Sequence, residues 1–193
     1  MSKNKELKKI QDELDEIEKS SFTQNCYEWL HAIIIAIVIV VLLLTFGFRR
    51  ISVDGESMMN TLHDRDQVLV TNLLDIPNDG DIVIISHGQE YKQPIIKRVI
   101  ATEGQTLQID FEKHQVIVDG VIIDEPYIKD PTTVTGNTEI PQIIPKGKVF
   151  VMGDNRNHST DSRFHEIGLI DVKDIIGKAE FIIFPFDRFK SIA

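Results

Sequence analysis

The chain has 193 residues and a formal net charge of −9. That length fits one folded domain with extensions. The acidic balance argues against nucleic acid as the main partner, because phosphate binding needs clustered Lys and Arg. The single cysteine, Cys26, excludes an intrachain disulfide.

Residues 1–28 carry five Lys and seven Asp or Glu. Leu7, Ile10, Leu14 and Ile17 recur at spacings of three and four, the pattern of one apolar helix stripe. Two heptads are too few for a coiled coil, so a charged amphipathic helix in solvent is expected over residues 2–20. Cys26 reads as a free thiol; its place beside an apolar run leaves palmitoylation open.

Leu30 to Phe48 reads LHAIIIAIVIVVLLLTFGF, interrupted only by His31 and Thr45. About 20 apolar residues span a bilayer core as a helix. Tyr27, Trp29, Phe46 and Phe48 suit its two interfaces. A cleaved secretory signal would want a basic leading segment and a small-x-small cleavage site. Here the leading flank is acidic and the exit is Phe-Gly-Phe-Arg-Arg. An uncleaved transmembrane helix over residues 29–48 is therefore expected, between a segment at 1–28 and a β-rich domain at 49–193. Arg49 and Arg50 favour the C-terminal side in the cytoplasm by local charge, and Lys3, Lys5, Lys8 and Lys9 partly offset them.

After residue 50 the pattern predicts strands and turns with no long helical period. Strands are expected at 67–71, 81–86, 94–102, 106–111, 115–118, 121–123, 148–152 and 178–184. Asp119-Gly120 reads as a tight hairpin turn. The polar stretch 131–145 reads as a loop. The run Phe181-Ile182-Ile183-Phe184 is read as a core strand, with lipid contact left open for it and for the surroundings of Met58-Met59. The fold class is mainly β, large enough for one core.

Three segments carry the polar chemistry. In Ile95-Ile96-Lys97-Arg98-Val99-Ile100, strand alternation puts one of the two cations on a largely apolar face. A desolvated lysine loses charge and becomes a general base near neutral pH; alternatively Lys97 reaches solvent at a strand edge. Ser57, in Gly55-Glu56-Ser57-Met58, is a nucleophile if a base reaches it and a turn serine otherwise. His63, His158 and His165 are other possible bases, and no Gly-x-Ser-x-Gly elbow surrounds Ser57. Gly153-Asp154-Asn155-Arg156-Asn157-His158-Ser159-Thr160-Asp161-Ser162-Arg163 reads as an ordered polar loop. It lacks the spacing of a calcium-binding loop, and no Cys/His cluster or Gly-rich phosphate loop stands elsewhere. Neither metal nor cofactor is expected.

Together, and in this order, the three segments resemble the sequence boxes of type I signal peptidases, bacterial membrane serine proteases that remove signal peptides from exported proteins. Ser57-Met58 resembles the Ser-Met box, Lys97-Arg98-Val99 the Lys-Arg-Val box and Gly153-Asp154-Asn155-Arg156 the Gly-Asp-Asn-Arg box; Gly80-Asp81-Ile82-Val83 resembles a further strand box. The single anchor and small domain resemble the compact form of the family. The resemblance implies a Ser-Lys dyad: Ser57 attacks the scissile carbonyl and neutral Lys97 takes its proton. It implies that Ser159 hydrogen-bonds and orients the Lys97 amine, that Asp161 and Arg163 form a bracing ion pair, and that Asp154 stabilises the geometry. Met58 would sit by the substrate pocket, and the Ser57 N–H would form part of the oxyanion hole. The implied partners are signal peptides and the lipid bilayer, for a monomer whose domain lies outside the cytoplasm, against the local charge count.

The chain departs from the family pattern at Asn60, where proline is usual, at Gly55, where some members carry a serine hydroxyl, and at Ala101–Gln105, after the Lys box. These departures bear on rate and substrate range. An SOS-repressor-like autoprotease would need a DNA-binding domain where the anchor stands. A non-catalytic preprotein-binding homologue is the alternative, and would be expected to lose Ser57 or Lys97; both are present.

Overall fold

The computed structural model describes residues 25–42, 47–71 and 77–192; the amphipathic stripe expected at 2–20 lies outside them. The chain divides into two units, Met1–Phe46 and Gly47–Ala193.

In the first unit the described residues form one helix, Asn25–Leu42, long and apolar enough to cross a membrane. All its side chains are exposed, Trp29 and the Ile and Val run included. Its described part reaches back to Asn25, before the apolar run.

The second unit is built from antiparallel strands: β1 (Phe48–Ser52), β2 (Gln67–Thr71), β3 (Ile82–Ile85), β4 (Ile95–Ala101), β5 (Leu107–Asp110), β6 (Gln115–Val118), β7 (Val121–Ile122), β8 (Lys148–Met152), β9 (Ile170–Asp171), β10 (Ile175–Phe184) and β11 (Lys190–Ser191). Its only described helices are two three-residue 3-10 turns. The larger sheet runs β1-β2-β10-β3-β4-β8-β9, with β11 beside the end of β10. Strands β5, β6 and β7 form a smaller sheet. Phe48 thus opens β1, a correction to the span boundary at residue 48: hydropathy cannot separate a helix end from an apolar strand that follows it.

Local chemistry explains the hairpins. Asp119 and Gly120 both have positive φ, as a two-residue turn between twisted strands requires. At the β5–β6 turn, Asp110 Oδ1 accepts from the backbone N–H groups of Glu112 and Lys113. Strand β10 begins three residues before the expected Lys178, because Gly177 sits inside it. A Cβ there would lie 2.3 Å from the Thr71 carbonyl oxygen, so a glycine that looks like a strand breaker is what lets β2 and β10 approach.

Strand β3 is apolar on both faces because both are covered. Ile82 and Ile84 pack with Met58, Leu62, Val68, Val70 and Ile182. Val83 and Ile85 pack with Val99, Val149, Val151 and Ile167 on the other side. A third cluster, around Phe150, Met152, Leu107 and Val116, joins the small sheet to β8. The run 181–184 departs from the core reading: Ile182 is buried, but Phe181 and Phe184 are exposed. Residues 131–145 carry no strand, only a bridge between Thr106 and Ile143.

Candidate active site

Strand alternation alone predicts one buried cation in β4. Both are buried, Lys97 at 4% exposure and Arg98 at 7%, because β4 lies inside the sheet with cover on both faces. The Lys97 ammonium nitrogen lies 2.8 Å from Ser57 Oγ. Among the described residues this is its one hydrogen bond. Burial lowers the Lys97 pKa from 10.5 to about 8; Asp161 and then Asp154 oppose the shift, and Arg163 adds to it. Desolvation wins because no carboxylate touches the amine directly.

Ser57 sits in the turn after β1, and the turn is held from several sides. Gly55 has φ +87°, a conformation that side chains rarely adopt, and its N–H donates to Asp64 Oδ1 at 2.9 Å. Met58 is buried in the core and also lines the groove beside Ser57. Thr61 donates its hydroxyl to Asp154 Oδ2.

Arg98, one residue past Lys97, clamps the same Asp154. Its Nε donates to Oδ1 at 2.8 Å and its Nη2 to Oδ2 at 2.7 Å, a bidentate pair. The Tyr127 ring lies 3.9 Å from the guanidinium carbon. Arg156 beyond it pairs with Glu125 and donates to the Gly153 carbonyl at 3.0 Å. Asp154 thus ties β4, the Ser57 turn and the loop after β8 together.

The Asp161 and Arg163 side chains are fully buried and joined by two hydrogen bonds of 2.8 and 2.9 Å. Asp161 Oδ2 also accepts from the Gly153 N–H at 3.0 Å. Arg163 donates to the carbonyls of Val134 and Arg156. Ser159 differs from the expectation. It is buried close to Gly153, yet its hydroxyl has no hydrogen-bond partner among the described residues; the bond to Lys97 is not made, because the amine is turned to Ser57. None of the three candidate histidines bonds to Ser57 either: His158 lines the groove, and His165 lies 3.4 Å from Glu90.

Sequence reasoning left Gly153, Asn155 and Arg98 without roles. A Cβ on Gly153 would lie 2.3 Å from Ser159 Oγ and 2.5 Å from the Ser57 carbonyl oxygen, so only glycine lets this loop approach the serine turn. The Asn155 N–H donates to the Ser57 carbonyl at 3.0 Å. Its side-chain amide donates to the Glu56 carbonyl at 3.1 Å.

A groove of about 620 Å³ runs past Ser57 and Lys97, lined among others by Ile51, Met58, Ile84, Ile96, Tyr91 and His158. Apolar side chains line one part of it and polar ones, among them Glu56, Gln93, His158 and Thr160, the rest. Among the described residues no group of three His, Cys, Asp or Glu could hold a metal ion. A buried amine of lowered pKa against a serine hydroxyl, at the side of such a groove, can activate that hydroxyl for acyl transfer.

A family profile described as signal peptidase, peptidase S26, matches residues 26–184. The chain belongs to that family. It is 36% identical to signal peptidase I P of Bacillus subtilis subsp. natto, over 86% of this chain and 93% of that one. It is 37% identical to a signal peptidase I of Bacillus amyloliquefaciens, over 91% and 97%. Signal peptidase IB of Staphylococcus aureus is 33% identical over 84% and 92%. A signal peptidase I from Enterococcus faecalis, solved by crystallography, superposes with a TM-score of 0.47 at 24% identity, covering 55% of this chain and 98% of that one.

Proposed function

We propose that Ser57 and Lys97 are the nucleophile and general base with which this signal peptidase I cleaves signal peptides from secreted preproteins. The observation that carries the reading is the 2.8 Å contact between an amine whose pKa is lowered to about 8 and a serine hydroxyl. At pH 7 about a tenth of such an amine is neutral, against about one part in 3,000 at the ordinary value. In the neutral form the hydrogen bond reverses. The Ser57 hydroxyl donates to the amine lone pair, and proton and nucleophile separate as Oγ adds to the scissile carbonyl. The resulting ammonium then protonates the leaving amine, and water hydrolyses the acyl-enzyme with the amine again as base. The Ser57 N–H is the backbone donor to the developing oxyanion.

The bracing groups keep this geometry without reacting. Asp154 is neutralised by Arg98, and Asp161 by Arg163. Met58 forms part of the wall against which the small residue before the cut would rest. The helix Asn25–Leu42 serves as a single anchor, with the peptidase domain following it on the extracytoplasmic side, where the cleavage site of an exported preprotein emerges. Anchoring enzyme and substrate in one bilayer raises their effective concentration. The chain acts as a monomer.

The test is cleavage of a preprotein with a small-x-small site by the full chain in detergent. Ser57→Ala and Lys97→Ala are each expected to abolish cleavage with the fold intact. Normal cleavage by either would refute the dyad.

A further inference from the structure

Asn155 takes no part in the proton transfers, yet it is almost fully buried, and its backbone N–H and one N–H of its side-chain amide are spent on the nucleophile's own backbone. Its side-chain amide donates to the Glu56 carbonyl at 3.1 Å, and its backbone N–H to the Ser57 carbonyl at 3.0 Å. These two carbonyls belong to the peptide units on either side of Ser57 Cα. The first matters most. In a trans peptide the carbonyl of one residue and the N–H of the next lie in one plane and point in opposite directions, and the 56–57 peptide is trans. The Glu56 carbonyl also accepts from the Met59 N–H at 3.2 Å within the turn, so Asn155 is the anchor from outside the turn that helps fix the direction of the Ser57 N–H. Among the described residues that N–H donates to nothing.

We propose that Asn155 is a positioning residue for the oxyanion: it holds the Glu56–Ser57 peptide plane so that the Ser57 N–H faces the groove where the scissile carbonyl oxygen will sit. The inference rests on the Ser57–Lys97 reading given above and adds a residue to it. Two physical effects act together. Orientation is prepaid, so no reorganisation is needed as charge develops. The hydrogen bond to the carbonyl also polarises the peptide unit and strengthens its N–H as a donor. Gly153 is what admits Asn155 to this place, since a larger residue would press on the Ser57 carbonyl. Asn155 reaches Lys97 only through Ser57, so its loss should leave the lysine's titration alone.

The experiment compares wild type, Asn155→Asp, Asn155→Ala and Lys97→Ala as full chains in detergent. The substrate is a small-x-small preprotein. The probe is a peptide aldehyde of the same sequence, whose carbonyl carbon bonds to Ser57 Oγ while the hydroxyl proton passes to its oxygen. Asn155→Asp keeps the shape but turns an acceptor toward the Glu56 carbonyl. Both Asn155 variants are expected to lose about tenfold to a hundredfold in kcat, less than or equal to what a direct oxyanion donor supplies. KM should stay within about twofold and aldehyde affinity should weaken by the same factor as kcat; in Asn155→Ala, which adds no charge, the midpoint of the pH–rate profile should not move, whereas the new carboxylate of Asn155→Asp raises it. A loss confined to KM, aldehyde affinity that does not change, or a shifted midpoint in Asn155→Ala would overturn the inference. If either variant fails to fold, Asn155→Ser decides by the same readouts, since it keeps the backbone bond and a short hydroxyl. Full activity in the Asn155 variants beside a dead Lys97→Ala removes this inference and leaves the dyad; full activity in Lys97→Ala removes the dyad itself.

Discussion

Lys97 Nζ and Ser57 Oγ lie 2.8 Å apart across a separation of 40 residues. The serine comes from a turn after β1 and the lysine from the middle of β4, so the pair exists only when the larger sheet is assembled. A buried strand supplies the desolvation and an adjoining turn supplies the hydroxyl.

Lysine and arginine should not be interchangeable at position 97. An arginine guanidinium stays protonated throughout the accessible pH range, so it cannot accept the Ser57 proton. Lys97→Arg is expected to abolish cleavage at every pH from 6 to 10, as measured on a small-x-small preprotein. Partial activity that grows with pH would show that another group serves as base.

Burying this amine should cost stability. The folded pKa of about 8 lies below the unfolded value of 10.5, so the unfolded chain binds the Lys97 proton more tightly. The penalty is complete below pH 8 and is relieved as pH rises from 8 to 10.5. A shift of that size corresponds to about 3 kcal/mol. Lys97→Met should therefore raise Tm at pH 7 while abolishing cleavage, and the difference in Tm should shrink toward pH 10. Thermal unfolding of the two full chains at several pH values checks this.

The Asp161–Arg163 pair is fully buried, so breaking one side leaves an uncompensated charge. Arg163→Met should cost about 3–5 kcal/mol. Asp161→Asn combined with Arg163→Met should recover part of that loss, because no buried charge remains. Denaturant unfolding of the two single variants and the double variant measures the coupling. Additive losses would show that the pair does not brace the loop.

Gly153→Ala should act on rate before stability. The added methyl meets the Ser57 carbonyl oxygen at 2.5 Å and Ser159 Oγ at 2.3 Å, and both contacts are shorter than real Cβ atoms tolerate. Displacing the loop moves Asn155 away from the serine turn. A fall in kcat of about tenfold or more is expected, with far-ultraviolet circular dichroism unchanged. Wild-type kcat would mean that the loop shifts without disturbing the serine.

Much of the fold was legible because the strands of this domain carry their own punctuation. Asp119-Gly120 marks a hairpin by composition alone, and β2 shows the alternation of a half-buried strand. Strand β1 was hidden because its phenylalanine extends the apolar run before it. Strands β9 and β11 are two residues each, too short to carry a period. The aromatic run at 181–184 misled because apolar character does not say which side chains face the core, and β10 shifts register against β2 twice, before Phe181 and before Phe184. At the site, the local chemistry of a strand lysine and a Gly-flanked serine left Ser57 and Lys97 open to bland readings, and only the resemblance paired them; their contact is set by the sheet. The hydroxyl of Ser159 could not be oriented from sequence, since a loop serine has several backbone partners within reach. Arg98 and Asn155 were unreadable for another reason: their roles lie in where a carboxylate and two carbonyls end up, and local pattern carries no trace of that.

If neutral Lys97 is the base for Ser57, kcat/KM on a small-x-small preprotein should rise about tenfold per pH unit from pH 6 and level off above a single midpoint near 8. A rate that is flat from pH 6 to 9, or that has its midpoint near the ordinary lysine value, would show that a buried, easily neutralised Lys97 is not the base.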